Sequence, residues 1–504
     1  MYLAMLARTW KLQHSPLTAT VAALALFPAL AATTNAYADT GRPGAQSAGE
    51  RLFPTLGNGG YDARSYHVSF DYRPGTSLMR SQVVMRATAT QSLSRFSLDS
   101  VGQTIHKVTV DGRPATFKTN PRTEKLVITP SNGVNRGRGF VVRVDYTADR
   151  SKNPVPPEIS LPPGVPWPMK YWVETSDGFA LLGQPDRAHL FFPSNDVPSD
   201  KARFTFSVTT PKDVKAVANG DLVADRPAGH GRTTYTYRTR QPLPTDITQV
   251  AVGHFRTVTQ RGPHGLPVKS YVPADQYAKL KPVVSKTPDQ IAWLEKTLGL
   301  RYPFERYGVL AVNSDYDGVA LETGTLSTFG AQGLAQPASA ETPIMVHELT
   351  HQFFGDAVSV HTWDDMWLSE GHARFYQARY AADQGYEKLD AAMHEDYVAD
   401  ARSRAEDGPA GRLKESTGVL FSTDQPGALM LYGLRNIVGQ DTFQRIERTF
   451  FATYQGRSAS TQDYIDVANR VSGRNLTAYF DGWLYGSTTP PMPGHPDWKP
   501  GPAS

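Results

Sequence analysis

His347-Glu348-Leu349-Thr350-His351 is followed, after eighteen intervening residues, by Glu370 in Trp367-Leu368-Ser369-Glu370-Gly371. Residues four apart on an α-helix lie one above the other, so His347 and His351 can turn both imidazoles toward one cation. Glu348 is one step round the helix and reaches a water beside the metal rather than the metal itself. The eighteen-residue gap is long enough to end the helix, turn and start a second one whose early face supplies the Glu370 carboxylate. Two histidines and a carboxylate form a catalytic zinc set, because three protein ligands leave a fourth position open. The intervening glutamate then stands as general base for a hydrolysis. A surface helix with two satisfied histidines is the plain alternative. Pro343-Ile344-Met345-Val346 before the motif and Phe353-Phe354 after it argue instead for a helix packed in a core. A dry shell of that kind tunes a zinc site.

The stretch from Val346 to Tyr380, with His347-Glu348-Leu349-Thr350-His351-Gln352-Phe353-Phe354-Gly355-Asp356 and Trp363-x-x-x-Trp367-Leu368-x-Glu370-Gly371, resembles the aminopeptidase N and leukotriene hydrolase family of zinc metallopeptidases, the gluzincins. The spacing to Glu370 matches that family. Thermolysin shares the first motif but has a slightly longer gap and lacks Trp-Leu-x-Glu-Gly. The resemblance runs from about Tyr61 to about Gly486 and is to a short bacterial-type form, without the large C-terminal helical domain. More open substrate access is expected from that.

The resemblance implies an α+β multidomain fold. An N-terminal all-β saddle domain is followed by a thermolysin-like, mostly α catalytic domain holding one Zn2+ per chain. It also implies roles for three further positions. Gly318-Val319-Ala320-Leu321-Glu322-Thr323-Gly324 is similar to the family's glycine-x-methionine-glutamate-asparagine edge, with Leu321 and Thr323 as departures. Glu322 would then face the α-ammonium of the substrate. Leu182-Gly183-Gln184-Pro185 is similar to a second ammonium-reading segment, with the amide of Gln184 at the matching place and a bland loop as the alternative. A tyrosine that helps bind the oxyanion precedes a Gly-Ala-Leu run in the family. Before Gly427-Ala428-Leu429 the matching residue here is Asp424, a carboxylate, with Tyr432 as a substitute if the loop is shifted.

The 504 residues suffice for two to four domains, and 40% apolar with 20% charged residues is ordinary for a globular chain. Residues 1 to 38 read as a secretory signal: Arg8 and Lys11, an apolar run from Leu17 to Ala32 broken by Pro28, and Ala36-Tyr37-Ala38 as a cleavage site. The apolar run is short of the ~20 residues a spanning helix needs. The expected location is therefore secreted or extracytoplasmic, with cleavage after Ala38 and no integral membrane span afterwards. The formal charge of +4 falls to +2 without Arg8 and Lys11, which gives no electrostatic case for nucleic acid. No cysteine is present, so zinc ligands are restricted to imidazole and carboxylate.

Residues 39 to 60 are polar and glycine-rich and read as a flexible leader. From 61 to 258, alternating runs such as Ser65 to Tyr72 and Phe140 to Tyr146, punctuated by Asp111-Gly112 and Asn219-Gly220, predict strand after strand. Pro154 to Pro168 is too proline-dense to pair centrally. Helical signals take over in the expected catalytic domain, 259 to 486: Asp289 to Leu298, the zinc helix, a helix from Glu370 to Asp383, Glu387 to Ala405, and 426 to 480. A proline-rich tail, 487 to 504, ends the chain. His361 and His372 lie near the motif, and His372, two residues past Glu370, should point away from the zinc. Two rival activities remain for this set of residues, a zinc endopeptidase and a metal-retaining peptide-binding protein. Peptides with a free N-terminus are the expected partners.

Overall fold

The computed structural model describes residues 41–152, 170–313 and 320–503. The signal segment, the proline-dense run from Pro154 to Pro168, and Gly318-Val319 lie outside them.

Alternation makes the first large sheet. In Tyr61–Asp71, residues Tyr66, Val68 and Phe70 are buried while Ser65, His67 and Ser69 turn outward. This is the pattern of a strand with one face on a core. The strand pairs antiparallel with Leu78–Ala89 and parallel with Arg203–Pro211. The complete order is Asp221–Pro227, Arg232–Arg238, Arg203–Pro211, Tyr61–Asp71, Leu78–Ala89, Gly139–Asp149, Thr104–Val110 and Arg113–Pro114. The Asp111-Gly112 turn closes its last hairpin with φ of 50° and 77°, the double positive φ that tight hairpins require.

Two further sheets lead to the site. One joins Trp172–Glu174, Phe179–Leu181, Val250–Gly253 and Lys215–Ala218, and Gln184 lies in the loop after its second strand. The other runs Phe255–Arg261, Pro267–Pro273, Val309–Val312, Ser327–Gly330, Ala320–Leu321, and Glu322 follows its edge strand. Helices then dominate: α1 (Tyr277–Val284), α2 (Thr287–Leu298), α3 (Ala338–His351), α4 (Trp367–Asp383), α5 (Leu389–Asp407), α6 (Asp424–Val438), α7 (Gln440–Tyr454), α8 (Thr461–Ser472) and α9 (Thr477–Tyr485). A β-rich N-terminal part followed by a helical part is the architecture expected from the sequence.

The segment expected to be a flexible leader is packed in its described part, 41 to 60. Arg42–Pro43 pairs with Leu93–Asp99, Leu52 and Leu56 are buried, and Phe53 lies edge-on to Trp363 at 5.5 Å. Glu50 accepts a hydrogen bond from the Trp363 backbone at 3.2 Å, and Arg51 pairs with Asp364. A few well-spaced apolar side chains outweigh a polar composition. The tail is packed too: Met492 is buried, and Trp498 stacks on Tyr432 with centroids 6.0 Å apart.

Candidate metal centre

Helix α3 supplies His347, Glu348 and His351, and α4 supplies Glu370 in its first turn. Two devices set α4. Thr362 and Asp365 form a capping box just ahead of it, satisfying otherwise orphaned backbone donors. Trp363 and Trp367 are buried, and the Trp367 indole donates to Thr461 Oγ1 at 2.8 Å. The Trp-x-x-x-Trp spacing therefore anchors the helix that carries the carboxylate.

Glu370 Oε2 lies 3.4 Å from His347 Nε2 and 3.6 Å from His351 Nε2. A tetrahedral site with bonds of about 2.1 Å has ligand-to-ligand edges of roughly 3.4 Å, so the three atoms fit a zinc ion. The outer nitrogens fix the tautomers. His347 Nδ1 faces Gln377 Oε1 at 3.0 Å, and His351 Nδ1 faces Ser369 Oγ at 2.8 Å. The Ser369 hydroxyl donates onward to the Phe354 carbonyl at 3.2 Å, so it accepts from the ring. Both Nε2 lone pairs are thereby left for a metal, the outer-shell arrangement usual for ligating histidines. Gly355 makes room for this contact: its φ is +129°, and a Cβ there would sit 2.3 Å from Ser369 Oγ.

Glu348 and Glu322 lie within 4.8 Å of His351 and of one another, measured between ligand atoms. Glu322 Oε1 accepts from Gln184 Nε2 at 2.6 Å, which brings together the two residues singled out for the ammonium. Gln352, just past α3, donates to the Glu322 carbonyl at 3.0 Å and to Asp356 at 2.8 Å. It also accepts from the Thr325 backbone at 2.8 Å and from the Tyr302 hydroxyl at 3.0 Å. It ties the edge strand to the zinc helix.

Burial raises the pKa of each of the three carboxyls, and at Glu348 and Glu370 repulsion adds to it. Glu348 is pushed up further by Glu322, Glu370 and Glu341, and Glu370 by Glu322 and Asp424. At Glu322 the hydrogen bond from Gln184 works against the burial. Burial lowers both ligand histidines, with Asp424 opposing this at His347 and the neighbouring His347 adding to it at His351. The centre is thus three crowded carboxyls with two neutral imidazoles, an arrangement that calls for cations.

Asp424 opens α6 and is half-buried near these groups, its pKa raised to about 6 by desolvation against the pull of Arg374. Arg374, one turn past Glu370, pairs with Asp396 through two bonds of 3.0 and 2.9 Å. The Tyr432 hydroxyl is occupied elsewhere: it donates to Asp390 at 2.8 Å and meets His495 at 2.6 Å. His372 is not a ligand. Its Nδ1 bonds the Leu368 carbonyl at 2.8 Å, and its ring stacks on Phe354 at 4.1 Å. His361 is exposed.

Sequence reading missed Ser369, Gln377, Gln352 and Arg374. Helical spacing held a signal for two of them, since Arg374 and Gln377 fall four and seven residues after Glu370 on its own face.

Fold and site together define a centre of two imidazoles and one carboxylate that could hold a single metal ion. Comparisons with known proteins agree. The model of the peptidase family M1 domain matches residues 283–483, and that of the peptidase M1 N-terminal domain matches residues 175–247. Glutamyl aminopeptidase of Sus scrofa is 24% identical over 320 residues, 60% of this chain and 34% of the relative. The Homo sapiens enzyme is 25% identical over 324 residues, 60% of this chain and 33% of the relative. The chain thus spans about a third of the length of these relatives. The crystal structure of the M1 zinc metallopeptidase from Deinococcus radiodurans superposes with a TM-score of 0.77 at 28% identity, covering 90% of this chain and 100% of that one. A mutant of that enzyme bound to a Tyr-Ser-Ala substrate gives 0.76, at 28% identity and the same coverage. The chain belongs to the M1 family of peptidases.

Proposed function

We propose that the chain is a zinc aminopeptidase that removes N-terminal residues from peptides outside the cytoplasm. The observation that carries this reading is the charge of the centre. Ionised, Glu322, Glu348 and Glu370 sum to −3, and one divalent cation with one ammonium restores neutrality. A peptide with a free N-terminus brings that ammonium to Glu322; an internal peptide bond does not.

His347, His351 and Glu370 would hold Zn2+, which when bound lowers the pKa of water toward ~7 and polarises a carbonyl. Glu348 takes the proton of the attacking water and delivers it to the leaving amine. Its Oε2 has no hydrogen-bond partner among the described residues, so that oxygen is available to the water. Glu322 accepts two charge-assisted contacts, one from Gln184 and one from the ammonium. The Gln184 amide oxygen adds an acceptor for a second ammonium proton. Gln352 fixes Glu322 relative to Glu348, and hence the amine relative to the bond that breaks. For export, Arg8 with Lys11, the apolar run and Ala36-Tyr37-Ala38 support release after Ala38, which N-terminal sequencing of the exported chain checks.

The deciding experiment is a panel of peptides, free and N-acetylated, with and without chelator. Chelation should abolish turnover. Acetylation should cost more than one charge-assisted hydrogen bond, roughly 1.5–3 kcal/mol. Equal rates on blocked and free peptides would move the activity to an endopeptidase. Glu348→Gln should keep zinc and fold yet lose nearly all turnover, because an amide accepts no proton; activity within about threefold of wild type, under ~1 kcal/mol, would remove Glu348 from the role of base.

A further inference from the structure

A further carboxyl beside the centre is left without a cation by the charge count above. Glu341 lies in the first turn of α3, seven residues before Glu348. Seven residues bring a helix back to within about 20° of its starting direction, so Glu341 and Glu348 share a face. They are separated by about 10 Å along the axis. Glu341 is also one of the charges that raise Glu348. Glu341 is 4% exposed, as buried as Glu348 at 5% and Glu370 at 6%, the groups that must meet substrate and metal. Its Oε1 has no hydrogen-bond partner among the described residues. Its pKa is raised to about 7 by desolvation, with no charged neighbour contributing.

A buried acid without a partner lowers stability, and a cation supplied by substrate would satisfy it. The direction of the chain says which part of the substrate arrives there. Glu322 faces the C-terminal half of α3: it is grouped with Glu348 and His351, and its carbonyl is held by Gln352. Glu341 is at the opposite end. A peptide whose amine sits at Glu322 and whose first carbonyl lies at the zinc ligands therefore sends its leaving portion toward Glu341. At about 3.3–3.6 Å per extended residue, the second and third residues of the substrate cover the interval.

We propose that Glu341 is a leaving-side specificity residue that receives the cationic side chain of a lysine or arginine at the second or third position of the peptide. This rests on the aminopeptidase reading above and deepens it.

The test compares Leu-Lys-Ala and Leu-Ala-Lys with the same peptides carrying side-chain-acetylated lysine, which keeps the stem and removes the charge. Wild-type enzyme should favour one charged peptide over its neutral twin by about tenfold in kcat/KM. In Glu341→Gln that ratio should fall to near one, and Glu341→Lys should prefer glutamate over lysine at the same position. Because Glu341 Oε1 has no partner among the described residues, Glu341→Gln should fold at least as well as wild type; Glu341→Asp, which shortens the reach, should lower the ratio and serves as a second variant. A wild-type ratio within twofold at both positions overturns the proposal, and so does a ratio that Glu341→Gln leaves unchanged. Should no peptide be cleaved, the aminopeptidase reading fails by itself. Binding of the same four peptides to zinc-loaded Glu348→Gln protein then still reports whether charge is preferred and whether Glu341→Gln, added to it, removes the preference.

Discussion

Asp424 is the side chain whose identity most affects the expected rate. It stands where the resemblance calls for an oxyanion-binding hydroxyl, and it lies close enough to His347 and Glu370 to perturb both. A carboxylate there opposes the negative charge that develops on the carbonyl oxygen. Asp424→Tyr should therefore raise kcat, by up to about 10²-fold, with little change in KM because the contact forms mainly in the transition state. Tyr432→Phe should leave the rate unchanged, since that hydroxyl is held by Asp390 and His495. A large loss in Tyr432→Phe with no gain in Asp424→Tyr would reverse the assignment. A second residue-scale prediction concerns His189, buried between Asp196 at 2.6 Å and Glu124 at 3.1 Å. Burial alone would lower its pKa, but hydrogen bonds to the two carboxylates prevail and push it up to about 10. A raised pKa means the folded state holds the proton more tightly than the unfolded state. The stabilisation is therefore complete below about pH 6.5 and is lost as pH rises toward 10. His189→Gln should cost about 3–5 kcal/mol near neutral pH and flatten the alkaline part of the stability curve, measured by denaturant melts across that range.

At the scale of elements, legibility followed periodicity. The zinc helix was readable from the four-residue spacing of its two histidines, and the outer strands from apolar side chains that recur every 2 residues. The pairing of Glu322 with Gln184, 138 residues apart, was legible only through resemblance. The partners of the ligand histidines, Ser369 and Gln377, were not read at all, because each depends on how α4 crosses α3. The order of residues 41 to 60 was misjudged from composition, which does not register where single apolar side chains land. One crossing bears directly on the metal. Gly371 of α4 and Gly427 of α6 face each other so closely that a Cβ on either would lie 2.7 Å from the other's Cα. Gly371 adjoins Glu370, and Gly427 lies three residues past Asp424. Gly427→Ala should force the helices apart, costing about 1–3 kcal/mol of stability and weakening zinc roughly tenfold in competition with a chelator. Unchanged zinc affinity would show that the ligand carboxylate is held independently of this crossing.

At the scale of the molecule, the β-rich and helical parts meet at the Gln184–Glu322 pair. Gln184 comes from a loop of the first part and Glu322 from a strand edge of the second, and Asn219 reinforces the junction by donating to the Gly324 carbonyl at 2.6 Å. The terminal stretches close over this body from both ends, the first on the loop before α4 and the last on Tyr397, whose hydroxyl donates to the Pro490 carbonyl at 3.1 Å.

The clasp at the start of the chain also has a meaning in time. Glu50 waits 313 residues for Trp363, and the turn they share is completed from still further on, where the Thr461 backbone donates to Asp365 at 2.8 Å. At about 5–20 residues per second on the ribosome, the first group is made roughly 15–60 s before the second. The turn that seats Glu370 is completed only when Thr461 has been made as well, so the metal centre is among the later parts of the fold to be assembled.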